Sequence, residues 1–306
     1  MTNTRNHITL QPAYVLHGKP YRDTSMLMEV FTLEHGRIGL VARGVRSAKS
    51  RLRGLLQPFR PLLISWHGKG DLGTLISAEA NVDEGGAIGG SCGTPHLGVP
   101  HGGGSCASLR PPHLGILPGA CLAGRALMSG FYLNELLLRL LHRHDPHPTL
   151  FHSYDLALRK LVLAVPVESV AFALPDVQRA WASRPMQDDV TLQQILRIFE
   201  KELLANIGYG LVLDHDVITG QPVLAEGMYR YHMQKGPERI ASTHVVNTLG
   251  IVLHGQTLLG LAHNELRDAI NLQEAKRLLR KMLAVHLGQQ PLRSRALYSE
   301  MLAGSW

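Results

Sequence analysis

The side chains most able to do chemistry here are cations without counter-ions. Arg37, Arg43, Arg46, Lys49, Arg51, Arg53 and Arg60 follow one another with no Asp or Glu between the first and the last. Ser47, Ser50 and Gly54 lie among them and let a backbone come close to a phosphate. A flexible loop this basic repels itself unless an anion lies against it. The chemistry implied is binding of a nucleic-acid backbone, with no bond made or broken. A solvated surface loop is the alternative for any charge run; the lack of acids argues for phosphate contact. Trp66, Phe31 and Tyr14 are candidate base-stacking platforms. Trp66 joins the seven cations as a candidate contact, and Phe31 fits a core position better.

Catalytic constellations are sparse. Metal-assisted nuclease chemistry needs clustered carboxylates. Two tight acid groupings stand out, Asp188-Asp189 and Asp214-His215-Asp216. The first precedes a helical pattern and suits its N-terminus. The second has no third acid nearby. There is no Walker loop. The expectation is a protein that is not an enzyme. Cys92, His96, His101, Cys106 and His113 could in principle ligate a metal. Their spacings are loose and no CxxC pair is present, so a flexible insertion is expected there, with no metal and no cofactor. The cysteines, Cys92, Cys106 and Cys121, are odd in number and do not suggest a secreted disulfide framework. No apolar run reaches membrane-spanning length and the N-terminus has no signal-peptide core, so a cytoplasmic protein without a membrane partner is expected.

These groups need a scaffold. The chain has 306 residues, is 45% hydrophobic and 18% charged, and carries a net charge of +7. Residues 1–80 hold eleven Lys or Arg against five Asp or Glu, so +6 of that charge is N-terminal. In 37–43, Ile38, Leu40 and Ala42 fall on one side and Arg37, Gly39, Val41 and Arg43 on the other, the pattern of a half-buried strand. Further strands are expected at 14–16, ending at the turn signal His17-Gly18-Lys19-Pro20, and at 25–32, 61–66 and 73–78. Five short strands with glycine turns predict an oligonucleotide-binding (OB) barrel over 1–80. Residues 81–119 are rich in Gly, His and Pro and read as a flexible insertion or linker. From 120 the period becomes helical. Helices are expected at 122–144, 149–165, more weakly 167–181, and 191–207, the last with Gly208 as its C-terminal glycine. A small β-like insertion follows at about 209–246, with its best strand at 228–233. Helices return at 255–264, 273–287 and 294–302. The fold class is α+β: an N-terminal five-stranded OB-fold barrel, then a mainly helical C-terminal domain over 120–306. A second basic run comprises Lys276, Arg277, Arg280 and Lys281, which read as a solvated helix face, and Arg293 and Arg295, better placed for contact.

Laid out this way, the chain resembles the RecO family of bacterial recombination and repair mediators. The resemblance is carried by AYVLHGKPYRDTSMLMEVFTLEHGRIGLVARGVRSAKSRLRGLLQPFRPLL and TLISAEA, then SGFYLNELLLRLL, FEKELLANIGYG, MYRYH, AKRLLRKML and PLRSRALY, in the family's order. It implies a DNA repair and recombination mediator that binds single- and double-stranded DNA and anneals complementary strands. It also implies loading of the recombinase onto strands coated by single-strand-binding protein, a complex with the RecR protein, and a place at the bacterial nucleoid. Many members carry a four-cysteine zinc site after the GYG; residues 211–227 have no cysteine here, so no zinc is expected there. Residues 85–112 look extra to the family, and 166–189 look longer than usual. The resemblance further implies a receptor for the acidic tail of single-strand-binding protein. An apolar pocket with a cation at its rim suits such a tail, and Leu196, Phe199 and Leu203 with Arg197 and Lys201 offer that combination. Alternatively, Arg197 merely pairs with Glu200 at the surface. An RNA-binding OB-fold protein is the other functional reading; the residues alone do not separate it from the first.

Overall fold

A computed structural model describes residues 7–68, 70–81, 122–164, 189–240, 250–288 and 290–303. The candidate metal ligands between Cys92 and His113, the helix expected at 167–181 and Asp188 lie outside these residues.

Five strands form the N-terminal unit: β1 (His7–Tyr21), β2 (Ser25–Thr32), β3 (Gly36–Ala42), β4 (Leu62–His67) and β5 (Leu72–Ala80). They close into a barrel in the order β1-β2-β3-β5-β4, with β4 back on β1. Neighbours are antiparallel except β3 and β5, which pair in parallel through Gly39–Leu72 and Val41–Thr74. The alternation in β3 turns Ile38, Leu40 and Ala42 inward, where they meet Val15, Met28, Val30, Leu62, Ile64 and Trp66. This is the OB-type barrel the sequence predicts.

The first strand differs from its expected form. His17 to Pro20 is not a turn: Gly18, Lys19 and Pro20 pair with Met28, Leu27 and Met26, and the chain reverses at residues 22–24. β1 has to serve two neighbours, β4 through its first half and β2 through its second. Register shifts between Ile8 and Gln11 and between Val15 and His17 supply the extra coiling, and Leu10 takes a φ of 49° at the first. A sequence window sees these bulges as breaks in alternation.

The helical unit contains α2 (Gly124–Leu140), α3 (Pro148–Leu163), α4 (Asp189–Asn206), α5 (Gly255–Ala262), α6 (Ala269–Leu287) and α7 (Arg293–Ala303); α1 (Leu52–Leu55) belongs to the barrel. α2 ends at Leu140, and Pro148 lies beyond it. It opens α3, where its missing N–H is no loss. Gly208, at φ 88°, closes α4, with the Tyr209 N–H reaching Leu204 O at 2.8 Å. The β-like insertion is a three-stranded sheet, β6 (Met228–His232) flanked by β7 (Gly236–Arg239) and β8 (Ile251–His254). β8 lies beyond the expected insertion, because four apolar-rich residues running directly into α5 carry no periodicity of their own.

Ala13 to Leu16 are all buried, and they face two ways. Ala13 and Val15 fill the barrel; Tyr14 and Leu16 join Phe31 in the helical core with Phe151, Tyr154 and Leu136. Tyr14 and Phe31 are therefore neither stacking platforms nor barrel filling. They form the seam between the units, with ring centroids 5.7 and 5.4 Å from Phe151.

Candidate nucleic-acid interface

Residues 43–61 connect β3 to β4, and they are not a flexible loop. Gly44 turns the chain at φ 68°, the Arg46 N–H donates to Thr24 O at 2.8 Å, and the Ser50 N–H to Ser47 O at 3.1 Å. One turn of helix, α1, follows. Val45 and Leu56 are buried in the barrel cluster, and Leu52 and Leu55 pack against it. The segment is a plug whose apolar residues point into the barrel, so the intervening charged ones must point out. Arg43, Arg46, Lys49, Arg51, Arg53 and Arg60 are all exposed. None of them pairs with a carboxylate among the described residues. Their own contacts are to backbone: Arg46 Nη1 to Arg22 O at 3.2 Å and Arg60 Nη1 to Gly54 O at 3.0 Å.

Beside this segment lies a cleft of about 540 Å³. Its walls are Tyr21, Arg22, Thr24 and Ser25 from the β1–β2 turn, Val41, Arg43 and Gly44 from the end of β3, and Leu72, Gly73 and Thr74 from the start of β5. The Arg22 guanidinium sits 5.3 Å from the centre of the Tyr21 ring. Gly73 lies tight against the barrel core, where a Cβ would stand 2.9 Å from Leu40 Cδ2 and 3.1 Å from Trp66 Cδ1. Tyr21, Arg22 and Leu72 escaped the sequence reading, which placed the turn at His17–Pro20 and not at residues 22–24. The signal was Arg22 itself, a cation in a turn that the barrel order sets beside the basic connection.

Other expected contacts lie elsewhere. Arg37 is half-buried, donates Nη1 to Leu138 O on α2, and holds Nε 3.6 Å from Glu29 Oε2. Burial lowers its pKa, with Glu29 opposing and Arg143 adding to the shift. Arg143 pairs with the other oxygen of Glu29. Arg37 thus ties the barrel to the helical unit. Trp66 is 6% exposed, inside the barrel, with its ring edge-on to His35 at 5.3 Å. It presents no open face to a base.

The residues expected to hold a partner's tail are largely internal. Phe199 and Leu203 belong to the helical core and Leu196 packs against it. Arg197 is 5% exposed and its Nη2 lies 2.6 Å from Glu200 Oε1, an oxygen that also accepts from the Tyr132 hydroxyl at 2.6 Å. The pairing with Glu200 is real but buried, not superficial. Lys201 Nζ is held by Leu261 O at 3.0 Å and Asn264 Oδ1 at 2.7 Å. Cations outnumber carboxylates around Glu200: burial and then Arg197, Arg280 and Arg295 depress the Lys276 pKa, against Glu200 alone.

Asp216 is structural. Its carboxylate accepts from the N–H groups of Ile218 at 2.7 Å, Thr219 at 3.0 Å and Arg239 at 2.8 Å. Burial raises its pKa, and these hydrogen bonds outweigh burial and bring it below the usual aspartate value. Asp214 is exposed and pairs with His215 at 2.8 Å. Among the described residues no three His, Cys, Asp or Glu side chains gather as a metal site, and no helix is long and apolar enough to cross a membrane.

Comparison with known proteins covers both units. The family model described as recombination protein O N terminal matches residues 7–81, and that described as recombination protein O C terminal matches residues 185–296. The chain is 42% identical over 294 residues to a protein of Nitrosococcus oceani named DNA repair protein RecO, covering 96% of this chain and 94% of that one. A protein of Alkalilimnicola ehrlichii with the same name is 40% identical over 296 residues, covering 97% and 93%. One of Nitrosospira multiformis, again so named, is 38% identical over 290 residues, covering 95% and 94%.

Proposed function

The chain belongs to the recombination protein O family, and from that premise we propose that it is a non-catalytic DNA repair and recombination mediator. It binds single- and double-stranded DNA through the barrel and anneals complementary strands. One observation carries this reading: six exposed cations, Arg43, Arg46, Lys49, Arg51, Arg53 and Arg60, stand on a pinned segment with no carboxylate partner among the described residues. A rigid array of cations binds phosphates without first having to be ordered, and each contact releases condensed counter-ions. Annealing follows from the same charge, since neutralised backbones repel each other less. Base edges are not read by such an array, so sequence preference is weak.

The test is salt dependence. Binding of a single-stranded oligonucleotide falls steeply with salt, and the log–log slope becomes shallower by about 0.7 for each phosphate contact removed. Replacing Arg43, Arg46 and Arg51 by Ala flattens it accordingly; an unchanged slope removes this segment from the binding surface. Competition between matched DNA and RNA strands separates the DNA reading from that of an RNA-binding barrel. Metal analysis after mild chelation checks that no stoichiometric metal is needed.

Family membership also supports a complex with RecR and loading of the recombinase onto strands covered by single-strand-binding protein; annealing of strands precoated with that protein tests the activity as a whole. For the acidic tail of that protein, the buried Arg197–Glu200 pair does not offer a free cation, and the exposed Lys276 beside it supports a receptor on that face of the helical unit. Lys276→Glu weakens tail-peptide binding and leaves binding to naked DNA as in the parent. Equal tail affinity in the variant moves the receptor away from this cluster.

A further inference from the structure

The β3–β4 connection meets α2 at an aromatic pair of which Phe59 packs against the helical core while Phe131 stays open to solvent. Phe131, on α2, is 41% exposed, and its ring lies 5.1 Å from that of Phe59, edge to face. Phe59 belongs to the basic connection and immediately precedes Arg60. Two local features that cost stability bring the rings together. Phe59 has a φ of 68°, a left-handed conformation that disfavours any residue with a Cβ. Gly130 sits inside α2, where glycine weakens a helix, and a Cβ there would stand 2.9 Å from Phe59 Cε1 and 3.1 Å from Cζ. Disfavoured backbone of this kind persists where the surroundings over-determine it, and it collects at binding sites. Beside the pair, Arg60 folds back onto Gly54 O of α1, the short helix that carries Arg53 and follows Arg51.

Building on the DNA-binding reading, we propose that Phe131, braced by Phe59, is a stacking platform for an unpaired nucleobase of the strand whose phosphates lie along Arg51, Arg53 and Arg60. The occupant follows from charge and shape. Cations without carboxylate partners attract a polyanion, and an aromatic face beside a phosphate track suits a base, which every nucleotide carries regardless of sequence. A base held in a duplex is already stacked and does not gain from the platform. The pair therefore makes the surface prefer single strands, which the cations alone do not.

The experiment compares the full-length parent with Phe131→Ala, Phe131→Leu and Phe131→Trp, each checked for a parent-like thermal transition. Binding of a thymidine oligonucleotide and of a blunt duplex is measured across a salt series. We expect Phe131→Ala to weaken single-strand binding about five-fold or more, with the salt slope and the duplex affinity unchanged. Leu, apolar but without a π face, does not restore binding; Trp does. Ala binding as tightly as the parent, or Leu restoring it, overturns the platform while leaving the cation track standing, provided the Arg43, Arg46, Arg51 triple variant still flattens the slope. A parent whose binding shows no salt dependence overturns both.

Discussion

Arginines of one chemistry have separate fates in this molecule. Arg37 and Arg43 are close in sequence, yet Arg37 clasps Leu138 O and Glu29 while Arg43 opens onto the cleft. Arg37→Ala leaves the half-buried Glu29 with Arg143 alone and is expected to lower stability by about 1–3 kcal/mol. Urea unfolding reads this loss, and the salt slope of DNA binding stays as in the parent. Asp216 gives a pH-dependent counterpart. Its folded pKa is depressed, so its stabilising contribution is complete above the unfolded value of about 3.9 and is lost as pH falls through the lower folded value. Asp216→Asn should be less stable than the parent at pH 7, with the difference shrinking below about pH 4. A constant difference across that range would place the stabilisation in groups other than this carboxylate. The phenols of Tyr14, Tyr132 and Tyr154 are pushed well above the usual tyrosine value, by burial first; for Tyr14 the neighbouring Asp155 adds to it. They stay protonated, and Tyr14 and Tyr132 serve as fixed donors to carboxylates.

At the scale of elements, the decisive one is the connection between β3 and β4. Its apolar residues, Val45 and Leu56, hold it to the barrel, and its cations are exposed as a consequence. Leu56→Ala removes a buried side chain at about 2–5 kcal/mol and loosens the cation array, so DNA affinity falls although no charge is lost. Turn glycines separate cleanly by surroundings. Gly44 and Gly36 both have positive φ, 68° and 63°. A Cβ at Gly44 meets nothing within 4 Å, so Gly44→Ala costs only the backbone strain, about 1–2 kcal/mol. At Gly36 it would lie 1.9 Å from Asp145 O, the backbone that links α2 to α3. Gly36→Ala must part the β2–β3 turn from the helical unit, and its melting temperature should drop well below that of Gly44→Ala. Equal melting temperatures for the two variants would mean that this contact yields without cost.

At the scale of the molecule, the barrel keeps its own core and also lends side chains to the helical one. Tyr14, Leu16 and Phe31 leave the barrel surface to pack with Phe151, Tyr154 and Leu136. Asn134 donates to Leu16 O at 2.9 Å across the seam, and Tyr154 donates to Asn134, so this amide is held from both sides. Such a seam couples the two units. Unfolding should therefore be one transition, coincident by helical circular dichroism and by the fluorescence of a Trp181→Phe, Trp306→Phe variant, in which Trp66 in the barrel is the remaining tryptophan. Phe31→Ala should cost about 3–5 kcal/mol and pull the two probes apart. Separate transitions already present in the parent would show the units to be independent.

Periodicity and composition by themselves determined much of this protein. The β3 alternation, the glycine-punctuated strands and the helical stripe of α4 were legible because each is a local pattern that burial of one face imposes. The acid-free cation run was legible for the same reason: charge without a counter-charge shows in sequence. The quoted motifs carried the family. Tertiary structure decided which member of each residue type does what. β1 became one bent strand because it serves two neighbours, and its bulges hide the alternation. Phe31 and Tyr14 went to the seam, Arg37 to a clasp and Arg197 to a buried pair, while Arg22, Tyr21 and Phe131 joined the surface beside the basic segment. Those assignments depend on what the far side of each element meets after closure of the barrel and docking of the helices. Partners more than a hundred residues apart in sequence, such as Arg37 with Leu138, leave no trace in any local window.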